Sequence, residues 1–285
     1  MTDNLVFQNV FGITVRMFLE SFYISKKLIY KLEQAKAVFV NQKLANFNYV
    51  LEKEDILVIY LDEFEEELTM TYDNPLTIIY EDEDLLLVRK PPGILVHPDG
   101  KDFQTLDNMV AHYYREIGLK RTARHAYRLD YDTGGLLLYT KHFLAAAHIN
   151  YQIENNKMRK IYYAVVEGKM KNSQGVIDLK IGKNRHLNNR YLVSESGKRA
   201  ITKYKVLKSS ETRSLLEVEI ETGRRHQIRV HLKHLGHPLV GDAYYGKKGK
   251  RLLLEAFYLS FYHPRMQELM KFALPLPPEF KVTGE

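Results

Sequence analysis

The run Gly134-Gly135-Leu136-Leu137-Leu138-Tyr139-Thr140 constrains this chain more than any other stretch. It is apolar, does not alternate, and is short enough to be a buried strand. Asp132-Thr133 precedes it, and Asp-Thr-Gly-Gly is turn chemistry: Asp can bond nearby backbone, and paired glycines permit positive φ. A carboxylate held at such a strand–turn–strand junction can face a cleft instead of solvent. Two carboxylates compete for that place. Asp132 stands directly before Thr-Gly-Gly and is assigned to the turn; Asp130 is the candidate reactive group.

The surrounding pattern alternates strands with helices irregularly. Residues 77–80 and 85–88 form a hairpin around Glu81-Asp82-Glu83-Asp84, and the prolines of Lys90-Pro91-Pro92-Gly93 make a rigid irregular loop. Residues 105–117 carry a helical pattern, 143–153 an Ala-rich one, and 160–168 a strongly β-prone run. Leu216, Val218 and Ile220 alternate with glutamates as a half-buried strand, and Gly223 and Gly236 bracket a further helix. The expected fold class is α+β, a mixed and largely antiparallel sheet with flanking helices, in place of a doubly wound sheet.

Residues 12–62 read as a smaller unit with two short helices, the second capped by Ser25, and strands at 38–41 and 55–60. This order resembles the S4-type RNA-binding fold. That resemblance implies that Lys26, Lys27 and Lys31 of the second helix meet the RNA backbone. The acidic stretch 62–74 is read as a linker, which divides the chain into an S4-like domain at 12–70 and a second domain at 71–285.

With no cysteine, disulfides, thiolate nucleophiles and Cys-ligated zinc are all excluded, which suits a reducing compartment. No apolar run approaches the ~20 residues of a membrane span, so no membrane association and a cytoplasmic location are expected. The net charge of +7 is unevenly spread. Residues 62–84 hold ten acids and no Lys or Arg, whereas 157–251 hold 23 Lys and Arg against 8 Asp and Glu. A cationic half of this size attracts a polyanion.

Other chemistries fit poorly. His226, His231, His234 and His237 invite a metal reading, but only His231 and His234 share a helix face, and no His-Glu-x-x-His spacing exists. No metal is expected. No Gly-Lys-Ser/Thr phosphate loop, Gly-x-Gly-x-x-Gly or Gly-x-Ser-x-Gly occurs.

Three stretches, in order, resemble the RluA family of RNA pseudouridine synthases: Lys90 to Pro98, Arg128 to Leu136, and Gly223 to His231, extended by the run from Gly236 through Asp242 to Tyr245-Gly246. The resemblance implies that Asp130 is the catalytic carboxylate, that Arg229 pairs with it, and that Tyr162 stacks on the target base. It implies that Arg128 fills the space of the extruded nucleotide. His226 and Gln227, inside the third stretch, are further substrate-binding candidates. The chain departs from the family pattern at Tyr127, where His is usual, at Gly134, where Ser is common, and at Glu255, where His is usual. A cofactor-independent, monomeric RNA uridine isomerase is expected. Its partner is ribosomal RNA, with transfer RNA as the alternative. Two rivals are a catalytically silent RNA-binding ribosome-assembly factor and a glycosidase using Asp130 with Asp132.

Overall fold

The computed structural model describes residues 4–66, 70–100, 102–187 and 189–282. Two hydroxyls begin its first helices. Thr14 Oγ1 accepts from Met17 N–H at the head of α1 (Val15–Ser21), and Ser25 Oγ accepts from Leu28 N–H at the head of α2 (Lys26–Gln34). Each bond satisfies an amide that a helix terminus leaves without a partner. The helices cover an antiparallel sheet of β1 (Asn4–Phe7), β2 (Val38–Val40), β3 (Lys43–Leu44) and β4 (Leu57–Tyr60), in the order β1-β4-β2-β3. Strand β1 lies ahead of the expected start at residue 12, and its Leu5 and Phe7 are buried in this unit's core.

The second sheet has ten strands among the described residues. It begins with the hairpin β5 (Thr77–Glu81) and β6 (Leu85–Lys90), followed by α3 (Leu106–Glu116), β7 (Arg124–His125), β8 (Gly134–Thr140) and α4 (Phe143–Glu154). Then come β9 (Arg159–Glu167), β10 (Gln174–Asp178), the separate small hairpin β11 (Ile181–Lys183) and β12 (Tyr191–Val193), β13 (Ile201–Ser209) and β14 (Arg213–Ile220). Helix α5 (Gln227–His234), β15 (Leu254–Tyr262) and β16 (Leu269–Ala273) complete it. The strand order is β10-β13-β14-β9-β15-β8-β6-β5, with β16 on β15 and β7 on β8.

The unbroken apolar run of β8 is explained by what lies on its two faces. Leu137 and Tyr139 join Leu86, Val88, Tyr162 and Ile228 in one core layer; Leu136 and Leu138 join Leu85, Leu87, Ile161 and Phe257 in the other. A strand covered on both faces has no polar side to alternate with. All pairings in this sheet are antiparallel except β15 with β8, which run parallel where Glu255 faces Gly134 and Ala256 faces Gly135. Gly135 has φ +115°, and a Cβ there would lie 2.2 Å from the Ala256 carbonyl oxygen. Only glycine lets the two backbones meet.

The acidic stretch after β4 is no free tether. Glu65 is buried, forms an ion pair with Arg124 and accepts a hydrogen bond of 2.8 Å from Phe143 N–H at the start of α4. Residues 67–69 lie outside the described residues. Arg265 closes the same seam: it bonds Asp84 at 2.8 and 2.9 Å, donates to the Val6 carbonyl at 2.7 Å, and lies over the Phe7 ring at 4.3 Å. Leu144 of α4 is buried within the core of the N-terminal sheet.

Candidate active site

The loop between β7 and β8 is fixed from beneath by Lys90, the last residue of β6. Its side chain is fully buried, and Nζ donates to the carbonyls of Pro91, Tyr131 and Thr133 at 3.0, 3.0 and 2.9 Å. Three carbonyl oxygens match the three N–H donors of an ammonium. Burial pushes the Lys90 pKa down, against the pull of Asp130, Asp132 and Glu255. Gly93 N–H donates to the Tyr131 carbonyl at 2.9 Å, which ties the two-proline loop to the same turn. The turn is closed by backbone, Thr133 N–H to the Asp130 carbonyl at 3.1 Å. The expected bonding of turn amides by the Asp132 side chain is not seen among the described residues. The loop is pinned through its carbonyls instead, because the Lys90 ammonium donates to three of them at once.

Asp130, on this loop, keeps 24% of its side chain accessible. Its Oδ2 lies 3.7 Å from Arg229 Nη1. Arg229 sits on α5, buried, and is held edge-on by Asp242: Nε to Oδ2 is 2.9 Å and Nη2 to Oδ1 is 2.7 Å. Asp242 is fully buried and also accepts from the Tyr244 and Tyr245 amides at 2.9 and 3.1 Å. The rings of Tyr244 and Tyr245 lie 5.1 and 5.4 Å from the guanidinium carbon. Burial opposes the charge on Arg229, but its bonds to Asp242 and the nearby negative charge of Asp242 and Asp130 outweigh it and raise its pKa. The result is a permanent cation beside Asp130, built from a fork that suits two carboxylates.

Tyr162 rises from β9 into the same core layer, buried, opposite Ala256 on β15. Burial, and secondarily the Asp130 charge, push its phenol well above the ordinary tyrosine value, so it stays protonated. Arg128, two residues before Asp130, is exposed. The structure thus brings Asp130, Arg229 and Tyr162 together and leaves Arg128 at the rim.

The other expected residues divide. His226 is buried at the N-terminus of α5, and its Nδ1 lies 2.8 Å from the Tyr245 hydroxyl. Gln227 is a correction. Its Oε1 accepts from Thr222 Oγ1 at 2.7 Å and Arg224 N–H at 3.0 Å, and its Nε2 donates to Ile201 O at 2.9 Å and Thr202 Oγ1 at 3.0 Å. Its amide is fully engaged with the protein, so it braces the loop instead of touching a substrate. The helix expected from Gly223 starts only at Gln227, because His226 has φ +56°. Lys26, Lys27 and Lys31 are exposed on α2, in the N-terminal unit and not in the Asp130 cluster. His231 bonds Thr202 Oγ1 at 2.9 Å and Leu179 O at 3.2 Å, and His237 bonds Glu167 O at 2.9 Å, so the late histidines do not converge.

Sequence reasoning missed Lys90, Asp242 and Tyr245. All three stand within the quoted motif stretches, but their partners are far along the chain or buried, and neither property is legible locally. At the departures from the family pattern, Tyr127 donates its hydroxyl to the Leu136 carbonyl at 3.0 Å beneath Lys160, and Glu255 is clamped by Arg89 at 2.9 Å and Arg251 at 2.8 Å. An oriented carboxylate, a fixed cation and a protonated phenol on one rigid loop and sheet can perform acid, base or nucleophilic work at a bound base.

Comparison with known proteins agrees with this architecture. Residues 84–234 match the family model described as RNA pseudouridylate synthase, and residues 6–57 match that of the RluD ribosomal pseudouridine synthase N-terminal domain. An uncharacterized RNA pseudouridine synthase of Bacillus subtilis, YhcT, is 38% identical over 264 residues, covering 90% of this chain and 87% of the relative. Ribosomal large subunit pseudouridine synthase D of Pseudomonas aeruginosa is 35% identical over 229 residues, covering 74% and 71%. Among solved structures, human RNA pseudouridylate synthase domain containing 1 superposes with a TM-score of 0.62 at 27% identity, covering 75% of this chain and 89% of that one. A carboxylate on a lysine-pinned loop, an arginine against it and a protonated tyrosine below thus sit in a sheet with the family's architecture, and the chain belongs to the RNA pseudouridine synthases, which isomerise uridine to pseudouridine in RNA.

Proposed function

We propose that this enzyme acts on uridines of ribosomal RNA, with Asp130 as its catalytic carboxylate. The observation that carries the assignment is the 3.7 Å approach of Arg229 to an Asp130 that stays accessible on a rigid loop. In the isomerisation the C1′–N1 bond breaks, the uracil turns while held, and a C1′–C5 bond forms. The C5 proton leaves and N1 gains one. Atoms and electrons balance without an oxidant. Asp130 acts as nucleophile or base, with the Arg229 cation held against it. Tyr162 stacks on the base and stays a neutral phenol. Arg128, exposed at the rim, fills the space of the extruded nucleotide.

Ribosomal RNA is favoured over transfer RNA by the ribosomal activity in the Pseudomonas relative's name and by the N-terminal match. In this reading residues 12–70, with β1 added ahead of them, form an RNA-binding unit whose Lys26, Lys27 and Lys31 meet phosphates, and 71–285 form the catalytic unit. The enzyme works as a monomer in the cytoplasm. No described helix is long and apolar enough to cross a membrane.

The test uses ribosomal and transfer RNA transcripts carrying tritium at uridine C5. The enzyme should release tritium to water from ribosomal RNA, and Asp130→Asn should abolish release while binding the RNA. Release from transfer RNA alone overturns the substrate, and full activity of Asp130→Asn overturns the role of Asp130.

A further inference from the structure

We infer that His226 donates a hydrogen bond from its Nε2–H to a carbonyl oxygen of the uracil being isomerised. This deepens the reading of Asp130 as the catalytic carboxylate and rests on it. The argument is an accounting of protons. The Tyr245 hydroxyl accepts from Tyr191 N–H at 2.9 Å, so its own proton is free to go elsewhere. The neighbour within reach is His226 Nδ1, at 2.8 Å. Burial pushes Tyr245 up to about 12, so that proton is present at any working pH. Nδ1 is then an acceptor, and a neutral imidazole must carry its hydrogen on Nε2. Burial keeps His226 neutral, helped by the cations of Arg229 and Arg225 and opposed by Asp130 and Asp242.

Position follows from the same residues. His226 is the residue directly before α5, and Arg229 lies in the first turn of that helix. Both lie against the rings of Tyr244 and Tyr245, which stand 5.6 Å from the imidazole and 5.1 and 5.4 Å from the guanidinium. Arg229 in turn touches Asp130. Tyr191 closes the third side of the imidazole at 5.7 Å. The left-handed backbone at His226, uncommon for a residue with a side chain, makes no cap bond to its own helix. Nε2 has no protein partner among the described residues. Among the described residues the sealed side-chain polar atoms lacking a partner are His97 Nδ1, Tyr114 Oη and Thr133 Oγ1, so His226 Nε2 is not sealed in the core.

A donor fixed by three aromatic rings costs no reorganisation when charge moves onto the uracil as C1′–N1 breaks. Its neutrality matters too, since a second cation would compete with Arg229 for Asp130.

The experiment has two arms on the full-length enzyme. Nitrogen-15 spectra of histidine-labelled protein, with His226 assigned by its loss in His226→Gln, should show the Nε2–H tautomer at neutral pH; the Nδ1–H tautomer or an imidazolium overturns the inference. In single-turnover tritium release from ribosomal RNA transcripts, a Gln amide can stand in for Nε2–H and an Asn amide for Nδ1. His226→Gln should stay within about tenfold of the parent, while His226→Asn and His226→Phe fall by about 10²-fold with RNA affinity unchanged. Activity kept by Asn and lost by Gln, or lost only through RNA affinity, overturns it. Absence of release by the parent enzyme overturns the proposed substrate instead, and the tautomer arm still decides for or against His226.

Discussion

Gly134 stands in parallel register with Glu255, and a Cβ at Gly134 would lie 2.6 Å from the Glu255 Oε2. The carboxylate cannot retreat, because Arg89 and Arg251 hold its two oxygens. Two of the three departures from the family pattern are therefore one feature: the buried acid on β15 requires the missing side chain on β8. Gly134→Ala should cost about 1–3 kcal/mol by overpacking, read as a fall of about 2–4 °C in Tm per kcal/mol. In a Glu255→Ala background the same change should cost at least ~1 kcal/mol less, a coupling expected of residues in contact. Additive losses in the double-mutant cycle would show that the contact is relieved by movement.

Asp242 holds the guanidinium that faces Asp130. Asp242→Ala leaves Arg229 buried without its bidentate partner, and the loss should reach about 3–5 kcal/mol in urea unfolding. Asp242→Asn keeps one acceptor and should lose less. Its single-turnover rate should still fall at least about tenfold, because the fork is no longer set by two matched oxygens. A rate equal to that of the parent would remove Asp242 from the site's architecture.

Lys90 touches the loop backbone and no solvent. Lys90→Met should slow tritium release by about 10²-fold while RNA affinity stays within a few-fold, since displacing a reacting group by about 1 Å has that effect. Weakened affinity with an unchanged rate for bound RNA would mean that the ammonium acts on RNA directly.

Acid should open the seam between the two sheets. Burial disfavours the Asp84 carboxylate, but hydrogen bonds from His142 and Arg265 hold its pKa well below the usual range. The unfolded chain therefore takes up the proton first as pH falls. Stability from this group is present above about pH 4 and is lost progressively below it. Urea unfolding followed by circular dichroism between pH 3 and 7 should show this slope, and Asp84→Asn should flatten it.

The loop that carries Asp130 was legible because turn residues and buried strands are local. Asp-Thr-Gly-Gly followed by an apolar run placed Asp130 on its loop, and Thr105 and Ser25 marked helix starts. What holds that loop was not legible. Lys90 reaches Tyr131 and Thr133 across 41 and 43 positions, and His226 meets Tyr245 across 19. Gln227 was misread for the same reason: only folding shows that its four hydrogen-bonding capacities are already met. Strands β10 and β13 left little trace in the pattern because they lie at one end of the sheet, where β10 buries only Ile177 and the outer face of β13 carries three exposed lysines.

Leu144 has a consequence for how the chain can be cut. It belongs to α4, between β8 and β9, yet its side chain is sealed in the N-terminal core, with Phe143 and Ala147 packed beside it. A truncation that removes the first sheet would bare that apolar face on the helix that follows the Asp130-bearing loop and strand. Such a fragment should be recovered as aggregate and not as a smaller working enzyme.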